Sequence, residues 1–574
     1  MRTIALGSRD VAPLPRHLAN VDADAQTGER TDQRTLRSKT ERNSFQAILR
    51  VPPQILSQIS LEYVKAIRAG SRYKPRTNPW IKIAHICHHW REVALRTPSL
   101  WASFDMSSLQ LVQELLSRSK ATPISVKAVY AANDQRVVLG KIIDAASRIQ
   151  DLDLQITTPR ALEDLRPSFP CEALMLRTFS LRFTASGNEY LRTPLIFDIC
   201  ELPSLTSLTL RRIVFHWTSN LFAPSLTQLV VETSITKHEE LLIALVKMPK
   251  LCRLELNLRA RVEPPPQDQK VPLANLKRLR LTTSVRTCTY LLSQLQYPPT
   301  AYVSLSIGSI ASLDLLEELA SVVDTKFRES PTPILSASMW HHSAPNPETY
   351  LGLWTETIQP ETLFYPMPAV APNIPALFQI RMQTSLRAEE SLLSCIGDFA
   401  PEAHTIVYCV PSWEETVPKK ASWTAASQAL QEAELLALDC GSHGIIPFVE
   451  ALLDNDSPIE CYSAFPNLKT LHISAKFPLD TLQDFLAALK RRRDAGLGLQ
   501  RLELSFCDNI EQEDILQLRE FVDVVDWDGN IHFDPSDEEE EEEDDRYEDD
   551  RDMYDEICLD DFEDTLAFYN SGYL

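Results

Sequence analysis

The chain has 574 residues and a formal net charge of −22, from 57 Lys+Arg against 79 Asp+Glu. Residues 534–564 hold 20 acids and two bases, Arg546 and Arg551, a net −18 that leaves only −4 for the rest. This excludes a uniformly acidic surface, and it excludes a body-wide nucleic-acid footprint, which needs clustered positive charge. Gly is scarce at 14 residues and Leu is over-used at 78. Neither G-x-x-x-x-G-K-[ST] nor G-x-G-x-x-G occurs, which argues against nucleotide enzymes of those kinds. At roughly 150 residues per domain, the length implies about three or four domains or one long repeat array.

The 11 Cys are scattered and form no C-x-x-C. An odd, unpatterned set fits a reducing compartment, cytoplasm or nucleus, better than a disulfide framework. The apolar stretch within residues 1–15 is too short for a signal-peptide core. No run approaches about 18 apolar residues, and the best, 444–453, is broken by Pro447 and Glu450. The expectation is an intracellular protein without a membrane segment.

Residues 1–44 are polar with charges of both signs and predict a disordered leader. Lys39 and its Arg neighbours read more simply as a solvated segment than as a targeting signal. Residues 45–106 are dense in apolar and aromatic side chains. Pro52 and Pro53 suit the first turn of a helix, where a missing N–H costs nothing. Ile55, Leu56 and Ile59 then share an apolar face. After a polar loop at 68–78, Ile83, Ile86, Cys87, Trp90, Val93 and Ala94 recur at helical spacing, and Thr97-Pro98 ends that helix.

From about residue 107 a phrase L-x-x-L-x-L recurs. It is clearest at Leu205, Leu226, Leu251, Leu276, Leu468 and Leu499, with weaker copies beginning at Ile149, Leu176, Leu377 and Ala433. Six successive middle positions are 152, 179, 208, 229, 254 and 279, steps in the range of leucine-rich repeats. Helical stretches such as 239–247 and 481–490 lie between, so each unit reads as a strand and a return helix. One unit cannot bury its leucines alone; stacking joins the L-x-L pairs into a continuous core beneath a parallel sheet. The prediction is an α/β chain with an irregular solenoid over 107–533. In 305–430 the phrase nearly vanishes and Pro is frequent, implying degenerate repeats or an insertion. The acidic block beyond the body predicts a disordered, self-repelling tail over 534–574. Its last 22 residues interleave acids with Tyr, Phe, Ile and Leu, a pattern suited to folding on a partner or back onto the repeats.

Two segments together resemble the F-box family. VPPQILSQI looks like the opening L-P-x-E-[IL]-L-x-x-[IL], and IAHICHHWREVALRTPSLW looks like its second half. Followed by leucine-rich repeats and containing TPSLW, the chain is similar to F-box proteins abundant in mushroom-forming fungi. It departs from the pattern in having Val51 for Leu and Gln54 for Glu. The resemblance implies a short helical module docking on a Skp-family adaptor and through it a cullin. The repeats would select a protein substrate, making the chain a non-catalytic receptor subunit of an SCF-type ubiquitin ligase. By position, adaptor contacts would fall to Val51, Pro52, Ile55, Leu56 and Ile59, with Ile83, Ile86, Cys87 and Trp90 packing the module and adding contacts. Trp90 reads better as internal core, and Pro52 and Leu56 as partner contacts.

Other chemistry is weakly signalled. His85 and His89, four apart with Cys87 and His88 beside them, lack the second ligand pair that zinc needs, and His341-His342 lack partners, so no metal or cofactor is expected. No nucleophile elbow G-x-S-x-G is present and no catalytic residue is assigned. The basic run 490–493 ends a predicted helix, where cations complement the dipole. A second reading makes the chain a non-ligase scaffold whose acidic tail binds basic proteins. A third puts an enzyme in 305–430, resting only on the loss of the phrase.

Overall fold

A computed structural model describes most of residues 51–529, apart from stretches of which 71–78, 160–173, 359–375 and 454–463 are the longest together with 193–201, 260–268 and 384–392. The expected leader and acidic tail lie outside the described residues. The fold is mixed α/β, with eleven α-helices among the described residues and a large, mostly parallel sheet. It divides into two compact units, residues 1–179 and 180–574.

The first unit opens with α1 (Pro53–Gly70), which begins at Pro53 as the proline pair predicts. The second helix of the expectation is broken. Pro79–His85 forms a 3₁₀ turn, Cys87 is extended with φ −159°, and α2 (His88–Leu95) starts after it. Arg91 stabilises the break by donating from Nε to the Ala84 carbonyl at 2.8 Å. His85 and His89 therefore do not share a helix. Pro98–Trp101 forms a further 3₁₀ turn, and Trp101 Nε1 donates to the Ala94 carbonyl at 2.7 Å. Strands β1 (Ser103–Asp105), β2 (Ile124–Tyr130) and β3 (Ile149–Ile156) pair in parallel in chain order. Helices α3 (Leu109–Arg118) and α4 (Arg136–Ile143) bury Val112, Leu115, Val138, Leu139 and Ile142.

Strand β4 (Thr178–Phe183) spans the boundary of the two units, and the second unit continues with β5 (Ser207–Arg211), β6 (Gln228–Thr233), β7 (Arg253–Leu258), β8 (Arg278–Thr283) and β9 (Tyr302–Ile307). From β5 to β9 each strand pairs in parallel with the next. All ten copies of the leucine phrase fall on strands of the two units. Its residues form rows under the sheet: Leu208, Leu229, Leu254 and Leu279 are fully buried in mutual register, and so are Leu210, Val231 and Leu281. Intervening residues alternate to the other face.

Return helices are less regular than predicted. Helix α5 (His238–Val246) joins β6 to β7 and α6 (Val285–Gln294) joins β8 to β9. The β5–β6 connection has no helix. There Phe215, Trp217 and Phe222 pack on one another with ring centroids 4.9–5.3 Å apart, burying apolar area where other connections use a helix.

Residues 305–430 hold a rearrangement of the sheet. After α7 (Asp314–Arg328) come β10 (Ser336–His342), β11 (Glu348–Trp354) and β12 (Phe378–Gln383), an antiparallel meander. It enters the sheet reversed, with β12 parallel to β9 and β10 parallel to β13 (Thr405–Cys409). Parallel order then resumes through β14 (Leu435–Asp439), β15 (Thr470–Ser474), β16 (Arg501–Leu504) and β17 (Val524–Trp527). Helices α8 (Lys420–Ala429), α9 (Ser442–Leu453), α10 (Leu479–Asp494) and α11 (Gln512–Leu518) connect these strands. The apolar run 444–453 is α9, with Ile445, Phe448, Val449 and Leu452 buried.

The meander brings a second core to the face opposite the leucine rows. Trp354, Ile358 and Ala376 pack with Val407, Cys409 and Ala437, flanked by Trp340 and Leu435. All five residues of β13 are buried as a result.

Candidate interaction surfaces

The helical module in the first unit is held by a small core of Leu56, Ile83, Trp90 and Val93, with Val51 and Cys87 packed against it. This placement separates the residues singled out as adaptor contacts into two groups. Leu56, Ile83 and Trp90 are internal: Leu56 is fully buried, so it has no surface to offer a partner in this conformation. The expectation of a contact role for Leu56 is corrected accordingly. Spacing alone placed it beside Ile55, but Leu56, Ser60 and Val64 form the inward row of α1.

Pro52, Ile55 and Ile59 point outward. Ile55 (46% exposed), Ile59 (47%) and Tyr63 (46%) recur every fourth residue, so they form one apolar stripe along α1. Tyr63 was missed because the motif ended at Ile59, although i+4 spacing extends to it. Ile86, at the break between the 3₁₀ turn and α2, is exposed at 59%. The stripe is stiffened from beneath: Ser60 Oγ donates to the Leu56 carbonyl at 2.7 Å, and Ser57 Oγ lies 2.9 Å from Thr97 Oγ1. A rigid helix presenting spaced apolar side chains suits docking against another helical protein.

The second unit offers the sheet face opposite the leucine rows. On β5–β9 this face carries half-exposed Thr209, Val230, Arg280 and Ser304 in one register row. On β10, β11, β13 and β14 the second core covers the same row, where Val407 and Ala437 have no exposure, whereas Gln379 on β12 is exposed. The open part of the face thus runs over β5–β9 and β12 and reappears at β15–β17.

At the later end His472 on β15 lies opposite Glu503 on β16. His472 Nε2 is 3.2 Å from Ser505 Oγ and Nδ1 is 3.4 Å from Glu503 Oε2. The order hydroxyl, imidazole, carboxylate matches a nucleophile with its base and orienting group. The neighbouring N–H groups are already used, however: Ser505 N donates to the Ile473 carbonyl and Phe506 N to Asp528 Oδ2. Neither is free to hold an oxyanion, the larger part of such catalysis, and Arg501 competes for Glu503 at 2.7 Å. The trio is therefore read as a polar tie between β15 and β16.

The basic run 490–493 is also more than a solvated helix end. Arg492 is fully buried, donating to the carbonyls of Ala464 at 2.6 Å and Phe465 at 2.9 Å, while Arg491 donates to Leu453 O at 2.7 Å. These arginines fasten the end of α10 to neighbouring chain, and Phe465 sits at φ 46° beneath one of them. Residue order carries no sign of this, because buried and solvated arginines at a helix end look alike.

Among the described residues no group of three or more His, Cys, Asp or Glu is placed to hold a metal ion. His341 Nδ1 lies 3.0 Å from Thr349 Oγ1 within the β10–β11 pair. Among the described residues no helix is long and apolar enough to cross a membrane. In comparison with known proteins, no family model matches the chain and no curated protein matches it.

Proposed function

We propose that the chain is the substrate-recognition subunit of an SCF-type ubiquitin ligase, with the module at 45–106 an F-box docking on a Skp-family adaptor. The observation that carries the reading is the outward stripe of Ile55, Ile59 and Tyr63 on α1, backed by a core too small to need those side chains itself. The leucine phrases support the second half of the proposal. Six clear copies on parallel strands support reading the later unit as an irregular leucine-rich-repeat solenoid whose open sheet face would bind the substrate. No catalytic group is required, because such a ligase acts by holding its substrate near a charged carrier.

The test is recovery of the full-length chain on immobilised Skp-family adaptor. Ile55→Ala/Ile59→Ala/Tyr63→Ala removes the stripe and leaves Leu56 and Trp90 in place. Its recovery should fall at least about tenfold while its circular dichroism and melting stay near wild type, since exposed truncations cost little stability. Recovery equal to wild type would remove the adaptor assignment. Leu56→Ala should instead lower stability by about 2–5 kcal/mol, as a core truncation does.

A further inference from the structure

We propose that the chain's own acidic segment, residues 534–564, docks on the arginine-bearing open face of β7–β9. This docking is independent of whether the helical module binds an adaptor.

The surface follows from register. On the face opposite the leucine rows, Arg253, Arg278 and Tyr302 lie side by side on β7, β8 and β9, and Arg280 lies opposite Glu255 and Ser304. Three guanidinium groups thus share one carboxylate. Glu255 is committed to Arg253, 2.6 Å from its Nη2 and 2.7 Å from its Nε. Arg278 and Arg280 form no ion pair among the described residues. Exposed Lys250 and Lys277 add two cations where β7 and β8 begin.

Like charges directly opposite on neighbouring strands are destabilising. Arg278 registers this: burial, and then the positive charge of Arg253, lower its pKa from the usual value. A docked carboxylate would relieve that repulsion, and the planar guanidinium fork matches carboxylate geometry. On the β9 side the outward neighbours are Tyr302, Ser304 and Ser306, and the β6 carboxylate Glu232 pairs with Arg259 at 3.7 Å.

The chain carries the complementary charge. Its 20 acids in 31 residues begin seven residues after β17 ends at Trp527. Close to that strand the sheet face is itself acidic, with Glu503 and Asp526 flanking Arg501. Between that end and β7–β9 the second core covers the face on β10, β11, β13 and β14. The arginines of β7 and β8 are a compact open cationic patch on it. They lie nine strand spacings from β17 at β8, about 43 Å at about 4.8 Å each. A 31-residue segment reaches about 100 Å when extended. Tethering gives it an effective concentration on the order of millimolar, so a weak contact suffices.

Zero-length carbodiimide crosslinking of the full-length chain tests this directly, since it joins carboxylates to amines in contact. At about 50 mM salt, segment 534–564 should crosslink to Lys250 and Lys277 at least fivefold more than to Lys65, Lys141 or Lys419. The preference should vanish at about 500 mM salt, where screening is strong. It should also vanish in Arg278→Glu/Arg280→Glu, with Arg278→Gln/Arg280→Gln as the gentler variant if charge reversal unfolds the chain. A control reversal, Lys419→Glu/Lys420→Glu, should leave it intact. Equal crosslinking to all exposed lysines, or an unchanged pattern in a folded arginine variant, overturns the proposal. Loss in the control variant overturns it too, because the attraction would then be general. Binding of an added single-stranded oligonucleotide that depends on Arg278 and Arg280, without tail crosslinks, reassigns the patch to nucleic acid.

Discussion

Strands β5–β9 and strands β10, β11, β13 and β14 belong to one parallel-dominated sheet, yet they bury their residues by different rules. In β5–β9 one face is covered and the other is half open, so burial alternates, as in β8 where Leu279, Leu281 and Thr283 are buried and Arg278, Arg280 and Thr282 are not. In β13 the run TIVYC is buried throughout. The cause is the meander, which folds Trp354, Ile358 and Ala376 over the second face. A strand covered on both faces gains apolar burial on every residue and loses the polar spacers that define the phrase. The same row of the sheet can therefore be an open face at one place and a core at another.

The largest expected effect comes from exchanging the two environments. Val230 on β6 and Val407 on β13 occupy the same register row, the first half-exposed and the second without exposure. Val407→Lys should destabilise the unit by more than about 4 kcal/mol, because it buries an unpaired charge. Val230→Lys should change stability by no more than about 0.5 kcal/mol, helped by Glu255 opposite. Denaturant unfolding measures both. Similar losses at the two sites would mean that the second face is covered everywhere, or nowhere.

That contrast also explains what could be read in advance. The leucine rows were legible because their period is set by a one-faced strand: Leu208, Leu229, Leu254 and Leu279 recur with polar residues between them. Strand β9 was hidden, since Tyr302–Ile307 uses Val303 and Leu305 without a leading leucine. The meander was hidden more deeply, because its strands answer to partners far along the chain rather than to a local period. Trp354 gains its meaning only from Val407 and Ala437. In the helical module, spacing found the outward Ile55 and Ile59 but could not tell them from Leu56, one position away. Helical periodicity locates a face; which side of its edge is buried depends on what packs there, here Ile83 and Trp90. The break at Cys87 was missed because apolar spacing continued across it.

A second comparison uses charge at the later margin of the covered region. Asp439 at the end of β14 lies between Cys409 and Ser474, and its pKa is raised from 3.8 to about 6, by burial foremost and against the hydrogen bond from Ser474 Oγ at 3.1 Å. The folded state thus holds this proton more tightly than the unfolded chain. The stability it confers is present below about pH 3.8 and is lost as pH rises through about 6, a change of about 3 kcal/mol. Asp439→Asn keeps an acceptor for Ser474 and removes the titration. Its unfolding free energy relative to wild type should climb between pH 4 and pH 7 and then level. A flat difference across that range would place Asp439 in water, and the covered region would end before β14.

The smallest effect probes the packing of the second core. Gly352 on β11 lies in the outward row between Ser338 and Gln379, and the Trp354 indole folds back over it so closely that a Cβ would overlap the ring. Gly352→Ala should therefore cost about 1–3 kcal/mol through overpacking. Thr209→Ala, in the same row where the face is open, should stay within about 0.5 kcal/mol. The cost at Gly352 belongs to the ring, so it should shrink when the ring is already gone: in Trp354→Leu, adding Gly352→Ala should cost markedly less than in wild type. A double-mutant cycle isolates that coupling, expected at about 1 kcal/mol or more. Additive losses would show that Gly352 is needed for its backbone instead, and that Trp354 does not close the second face against it.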